Sequence, residues 1–182
     1  VKGLSRLAAL LTLALTLGVF VAQQAQAQFD NPATDVSVRV GANVVNRASM
    51  RTVGDVWLAV GADVKLRGGS PIGEGELLLG VDYYTRSKSG QSSSITAITL
   101  TQVFSVDPSE KFKGYLGVGA GAYVLKPTGV SAKTVFGGKL VFGYDINEKL
   151  FVELDYHLTG KETGNGMDFR GDSTTLLIGY RF

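Results

Sequence analysis

The chain has 182 residues, with 18 lysines and arginines against 16 aspartates and glutamates, 24 glycines, 4 prolines and no cysteine. Without cysteine, disulfide bonds and thiolate–metal chemistry are excluded. Residues 1–27 carry two of the basic residues and none of the acidic ones, so 16 of each remain beyond them. That balance leaves no electrostatic footprint for nucleic acid.

The first element is a leader. Lys2 and Arg6 precede an apolar run from Leu7 to Val21, and Ala25-Gln26-Ala27 follows with small residues at alternate positions. This order predicts a signal peptide over residues 1–27, removed so that the chain proper starts at Gln28. The apolar run is short for a membrane-spanning helix, which needs about 20 residues. Residues 28–182 are of a size for one domain.

From Val36 onward the pattern has period two. Val36, Val38, Val40, Ala42 and Val44 alternate with Ser37, Arg39, Gly41 and Asn43. After a polar stretch over 46–55, Val56 to Leu66 alternate in the same way with Trp57, Ala59, Gly61, Asp63 and Lys65. Gly68-Gly69 and Pro71 predict a turn over 67–73. Leu77, Leu79, Val81 and Tyr83 then alternate with Glu76, Leu78, Gly80 and Asp82, and the Ser/Gly-rich stretch 87–94 reads as a loop. Ile98, Leu100 and Phe104 form the next apolar set, interrupted by Gln102, and Asp107-Pro108-Ser109 reads as a turn. Two further strands carry Leu116, Val118, Ala120, Ala122 and Val124, then Phe136, Leu140, Phe142 and Tyr144, with a loop over 127–132 between them. Asn147-Glu148-Lys149 is a turn, Val152, Leu154, Tyr156 and Leu158 mark another strand, and 160–170 reads as a loop. The chain closes on Thr174, Leu176, Ile178, Tyr180 and Phe182, alternating with Thr175, Leu177, Gly179 and Arg181. Successive side chains of a strand point to opposite faces. The expectation is eight antiparallel strands of about ten residues, the length that crosses a bilayer when tilted.

The ending, with Leu176, Ile178 and Tyr180 at alternate positions before Phe182, resembles the C-terminal signature of bacterial outer-membrane β-barrels. In that family the final strand is read by the barrel assembly machinery. The chain as a whole resembles the small eight-stranded outer-membrane barrels of the OmpA/OmpX type, and the run from Gly143 to Tyr156 looks like the penultimate hairpin of that family. The resemblance implies an all-β, up-and-down transmembrane barrel, integral to the outer membrane of a Gram-negative envelope. It also implies contact with outer-membrane lipid and lipopolysaccharide. Phe104, Phe142, Tyr144, Tyr180 and Phe182 would then form an aromatic girdle at the periplasmic rim.

Alternation alone leaves open whether the apolar face looks in, as in a lipocalin, or out. The polar face settles the expectation. Its glycine rows (Gly117, Gly119, Gly121; Gly137, Gly143) suit a narrow interior where small residues make room for large ones. With the apolar face out, Arg39, Lys65, Arg86, Lys139 and Arg181 point inward with Asp63, Glu76, Asp82, Asp145, Glu153 and Asp155. Buried charges need partners, and hairpin spacing places Lys65 near Glu76 and Lys139 near Asp155. The expectation is a packed, salt-bridged lumen.

Other chemistry is weakly signalled. Gly117 to Ala122 satisfies G-x-G-x-x-A, but no helix follows to hold a dinucleotide. His157 is the only histidine and has Glu153, Asp155 and Thr159 on its face. A barrel esterase of the lipid A deacylase type would place serine where Thr159 stands. Asp168 and Asp172 match no cation loop and read as solvated. The expected protein is a non-enzymatic, monomeric outer-membrane barrel with no cofactor, metal or catalytic residues, serving a structural or surface-interaction role. The competing expectations are a narrow transporter of small or apolar solutes and a lipid-modifying enzyme.

Overall fold

The structure, a computed structural model, describes residues 36–66, 75–109, 112–164 and 167–182. The leader, residues 28–35 and the turn expected over 67–73 lie outside the described residues. Among the described residues there are ten strands: β1 Val36–Val45, β2 Val56–Leu66, β3 Glu76–Lys88, β4 Gln91–Ser109, β5 Phe112–Lys126, β6 Lys133–Asp145, β7 Leu150–Thr159, β8 Glu162–Gly164, β9 Met167–Phe169 and β10 Ser173–Arg181. Eight of them close a barrel in the order β1-β10-β7-β6-β5-β4-β3-β2, and β8 and β9 form a small separate hairpin. Closure is by β1 against β10, antiparallel, from Ser37 opposite Arg181 to Val45 opposite Ser173. Closing the sheet leaves no edge strand, so the barrel's backbone groups find partners within the ladder.

The apolar face looks outward. Leu79, Val81, Ile98, Leu100, Leu116, Val118, Leu140, Phe142, Leu154, Leu176 and Ile178 are all exposed, whereas their inward neighbours Asp82, Thr99, Thr101, Lys139, Glu153 and Asp155 are buried. A contiguous apolar belt of this extent suits a hydrocarbon surround and would be a liability in water. Three glycines of the inner face, Gly137, Gly143 and Gly179, lie under aromatic rings, whereas Gly41 and Gly121 lie against neighbouring backbone. A Cβ at Gly143 would strike the Tyr115 ring, and one at Gly179 the Phe151 ring.

Val36 and Arg181, with the strand ends Leu66, Glu76, Asp145 and Leu150 and the connection 146–149, lie at one end, here the termini end. The connections 46–55, 89–90 and 127–132 and the β8–β9 hairpin lie at the other, the loop end. Four stretches depart from the sequence expectation. Residues 87–94 are not a loop: β3 and β4 run on through them, with Ser87 opposite Ser92 and Lys88 opposite Gln91. The turn is only Ser89-Gly90, with φ of 51° and 78°, the left-handed pair that suits a two-residue hairpin. Asp107-Pro108-Ser109 is not the turn either; β4 continues to Ser109 through an irregularity after Val106. Residues 46–55 contain a 3-10 helix, Ala48–Val53, whose Met50 and Val53 are buried. The 160–170 loop holds the β8–β9 hairpin. By contrast Asn147 makes a turn, its Oδ1 accepting from the backbone N–H of Lys149 at 2.9 Å and of Leu150 at 2.8 Å.

Candidate functional site

The lumen is the site, and it has three levels. At the waist, inward positions of β1, β2, β3, β6 and β7 bring charged side chains together, with Gly61 and Gly80 leaving room beside them. Arg39 is the hub, its side chain only 1 % exposed. Its Nη1 lies 2.6 Å from Asp63 Oδ2 and 2.8 Å from Glu153 Oε2. Its Nε donates to Asp82 Oδ1 at 3.1 Å, and its Nη2 to Asp82 Oδ2 at 3.1 Å and Asp63 Oδ1 at 2.8 Å. A planar guanidinium with a fork of donors suits this many acceptors, where an ammonium would not. The Tyr115 hydroxyl donates to the second Glu153 oxygen at 2.9 Å. Lys139 Nζ sits 2.9 Å from Asp155 Oδ2 and 3.5 Å from Asp82 Oδ2. At this buried level two cations, Arg39 and Lys139, face four carboxylates, Asp63, Asp82, Glu153 and Asp155.

Just above, His157 is clamped between two tyrosines. Tyr84 Oη lies 2.9 Å from its Nε2, and Tyr123 Oη lies 3.2 Å from its Nδ1. Tyr123 also donates to the Gly138 carbonyl at 3.3 Å. With that proton spent, the arrangement fits a neutral ring that carries its proton on Nδ1 and accepts from Tyr84 at Nε2. The residue at the esterase-like serine position, Thr159, has its hydroxyl accepting from the Gly171 N–H at 2.6 Å. His157 and Thr159 therefore serve packing and loop anchoring in this geometry.

The loop end is capped by apolar and aromatic side chains. Val45, Met50, Val53, Trp57, Tyr84, Ile95, Tyr123, Leu125, Val135, Phe169 and Leu177 form one buried cluster. Trp57 Nε1 donates to the Gly54 carbonyl at 2.7 Å, which pins the 3-10 helix over the barrel mouth. Asp172 corrects its expectation as a solvated residue. It is buried, accepts from Arg47 Nε at 2.6 Å and from the Thr159 N–H at 2.9 Å, and so ties two loops together. Asp168 is solvated, and bonds from Lys161 and Thr163 hold its carboxyl below the ordinary range.

The termini end is open. A cavity of about 460 Å³ is lined there by Lys65, Glu76, Tyr115, Asp145, Phe151 and Arg181 among others. Lys65 Nζ lies 2.6 Å from Glu76 Oε1, and Arg181 Nη1 lies 2.7 Å from Asp145 Oδ1. The first pair is 37 % and 54 % exposed, so it is a rim contact and not the buried pair expected. Arg86 is another correction: it stands exposed at the loop end, with Nη1 donating to the Val56 carbonyl at 2.8 Å. Phe104, Phe142, Tyr144, Tyr180 and Phe182 occupy outward positions near the termini end, and the rings of Tyr180 and Phe182 meet edge-to-face at 5.0 Å. The 3-10 cap was missed in the sequence; its signal was the apolar pair Met50 and Val53, spaced by three in an otherwise polar stretch.

A closed eight-stranded barrel with a polar lumen and an apolar exterior narrows the comparison with known proteins. The family described as "Outer membrane protein beta-barrel domain" matches residues 11–182. The chain belongs to that family. Its place is the outer membrane, as an integral barrel. Neisserial surface protein A has a similar structure, with 12% identity, a TM-score of 0.51, and coverage of 81% of this chain and 94% of that one. The N-terminal β-barrel domain of Pseudomonas aeruginosa OprF is similar to the same degree, with 12% identity, a TM-score of 0.51, and coverage of 81% and 97%. At this identity the likeness is one of fold. No curated protein matches the chain significantly.

Proposed function

We propose that this outer-membrane barrel is a non-enzymatic surface protein with a sealed lumen, its loop end facing outward and its termini end facing the periplasm. One observation carries the reading: the lumen is filled at two successive levels, by the Arg39 network at the waist and by the Trp57–Tyr84–Tyr123 cluster above it. An eight-stranded barrel is only wide enough for side chains to fill it. The cavity at the termini end stops at that waist, which disfavours a narrow transporter. His157 and Thr159 are engaged by tyrosines and loop backbone, which disfavours a lipid-modifying enzyme.

On this reading the leader is cleaved before Gln28, and Leu176, Ile178, Tyr180 and Phe182 present the strand that the assembly machinery reads. Phe104, Phe142 and Tyr144 join Tyr180 and Phe182 at the periplasmic interface, where amphipathic and aromatic rings are favoured. The barrel works as a monomer in contact with lipid and lipopolysaccharide. The test is conductance in planar bilayers after reconstitution. The expected trace shows no steady channels; reproducible steps scaling with salt concentration would overturn the sealed lumen and promote the transporter.

A further inference from the structure

Five buried side chains carry a polar atom with no hydrogen-bond partner among the described residues: Asn43, Thr99, Gln102, Asp155 and Ser173. Thr99 and Gln102 lie on β4, across the ring of strands from β10. The other three surround one inward residue of β10, Thr175. Asn43 of β1 is its Cα partner on one side and Asp155 of β7 on the other. Ser173 stands two residues away on the same inward row, opposite His157 and Val45. The three therefore face one another where the ionic waist gives way to the cap, across the β1–β10 seam that closes the barrel.

What each atom lacks is complementary. Thr175 Oγ1 donates to Asn43 Oδ1 at 2.8 Å, which leaves Asn43 Nδ2 a donor without an acceptor. Asp155 Oδ2 lies 2.9 Å from Lys139 Nζ, but Oδ1 accepts no hydrogen bond. Ser173 Oγ can give one hydrogen bond and take two. The donor and the acceptor do not reach each other. β1 and β7 are two strand spacings apart, roughly 10 Å between backbones, and both side chains are short. Pointing into the lumen from those strands, they leave a gap that a water fits.

We infer that Asn43, Asp155 and Ser173 form a binding site for one buried water, which bridges Asn43 Nδ2, Asp155 Oδ1 and Ser173 Oγ. The water accepts from the amide and donates to the carboxylate, and the serine hydroxyl is its third partner. Buried polar atoms in folded proteins are nearly always paired, and two to four polar partners are what a buried water needs. The waist carries an excess of carboxylates, which would also draw a small cation, but the Asn43 N–H would point its proton at that cation. The water ties the ionic level to the closure seam, so that β7, β10 and β1 are joined by side chains as well as by the backbone ladder. This holds whichever end of the barrel faces outward.

The test is a crystal structure of the full barrel refolded in detergent, with oxygen-17 relaxation dispersion of the same protein to count long-lived internal waters. The expected result is one solvent peak within hydrogen-bonding reach, about 2.7–3.2 Å, of all three atoms. Asn43→Leu keeps the volume of the side chain and removes the donor. It should lose the peak, remove one long-lived water from the count, and raise the unfolding constant in urea about tenfold or more, as expected when a buried acceptor loses its partner. Ser173→Ala removes one partner of three and should keep the peak while shortening the water's residence. If Asn43→Leu shows no heat-modifiable barrel on gels, Ser173→Ala carries the test, and an unchanged residence time there overturns the site. A folded Asn43→Leu variant that keeps the full count of waters overturns it as well. So does electron density in which the Asn43 amide bonds directly to Asp155. A peak that gains anomalous signal when sodium is replaced by rubidium would make the occupant a cation and overturn the assignment to water.

Discussion

At the loop end, the lumen is filled by Trp57, Tyr84, Tyr123 and Met50, all fully buried. At the termini end, the same strands leave a cavity of about 460 Å³ ringed by part-exposed ion pairs. The strands at both ends obey one alternation, so the difference comes from which inward positions carry rings and which carry charges. The two loops that fold back, one with Met50 and Val53 and the other with Phe169, complete the first end. From the short connection at 146–149, Glu148 and Lys149 line the second without filling it. Apolar packing seals one mouth, and water reaches the charges of the other. Between them lies a dry ionic level, which gains most from its partners and loses most without them.

The largest effect should come from the waist. Arg39→Met keeps the length of the side chain and leaves Asp63, Asp82 and Glu153 without their shared cation. Breaking one buried pair costs about 3–5 kcal/mol, and three carboxylates share this arginine, so the loss in urea-induced unfolding should exceed that range. Arg39→Lys should recover part of it, because charge returns without the fork of donors. A loss below about 1 kcal/mol, the scale of an exposed pair, would mean that the waist is as wet as the vestibule. Next comes the cap. Trp57→Ala should cost about 3–5 kcal/mol for removal of a large buried ring. Bilayer conductance should stay at background in that variant, since the Arg39 level still fills the lumen. Steady channels in Trp57→Ala would show that the cap is the seal and that the waist leaks.

How much of this was legible in the sequence follows from the range of each contact. The strands and the outward apolar face were legible, because a two-residue period is a local property; of the inner glycine rows, Gly137 and Gly143 make room for tyrosine rings, while Gly117, Gly119 and Gly121 lie against neighbouring strand residues. Lys139 and Asp155, on adjacent strands of one hairpin, were within reach of the same reasoning. Arg39 as a hub was not. Its partners lie 24, 43 and 114 residues away, and they converge only after closure of β1 on β10 fixes the stagger of every strand. Residues 87–94 were misread because serine and glycine signal loops, whereas a strand that extends beyond the lipid belt needs no apolar face to stay paired. Asp172 was misread for a related reason. Its partners Arg47 and Thr159 belong to other segments, and only the folded cap brings them to it.

The smallest effect should lie in the vestibule, and it tests the contrast most directly. Lys65 and Glu76 stand 2.6 Å apart, as short as the Arg39–Asp63 contact. Distance alone would assign them equal worth. Solvent separates them: the side chains of Lys65 and Glu76 are 37 % and 54 % exposed. An exposed pair is worth about 0–1 kcal/mol, because water screens the attraction and ordering two long side chains costs entropy. Lys65→Met, Glu76→Gln and the double variant should therefore give a coupling energy within that range in urea-induced unfolding, and added salt should reduce it further. The Arg39–Asp63 cycle measured in the same way should give several-fold more and respond little to salt. A coupling of about 3 kcal/mol or more at Lys65–Glu76, the value of a buried pair, would mean that the vestibule excludes water, and the two ends of the lumen would then differ in composition but not in physics.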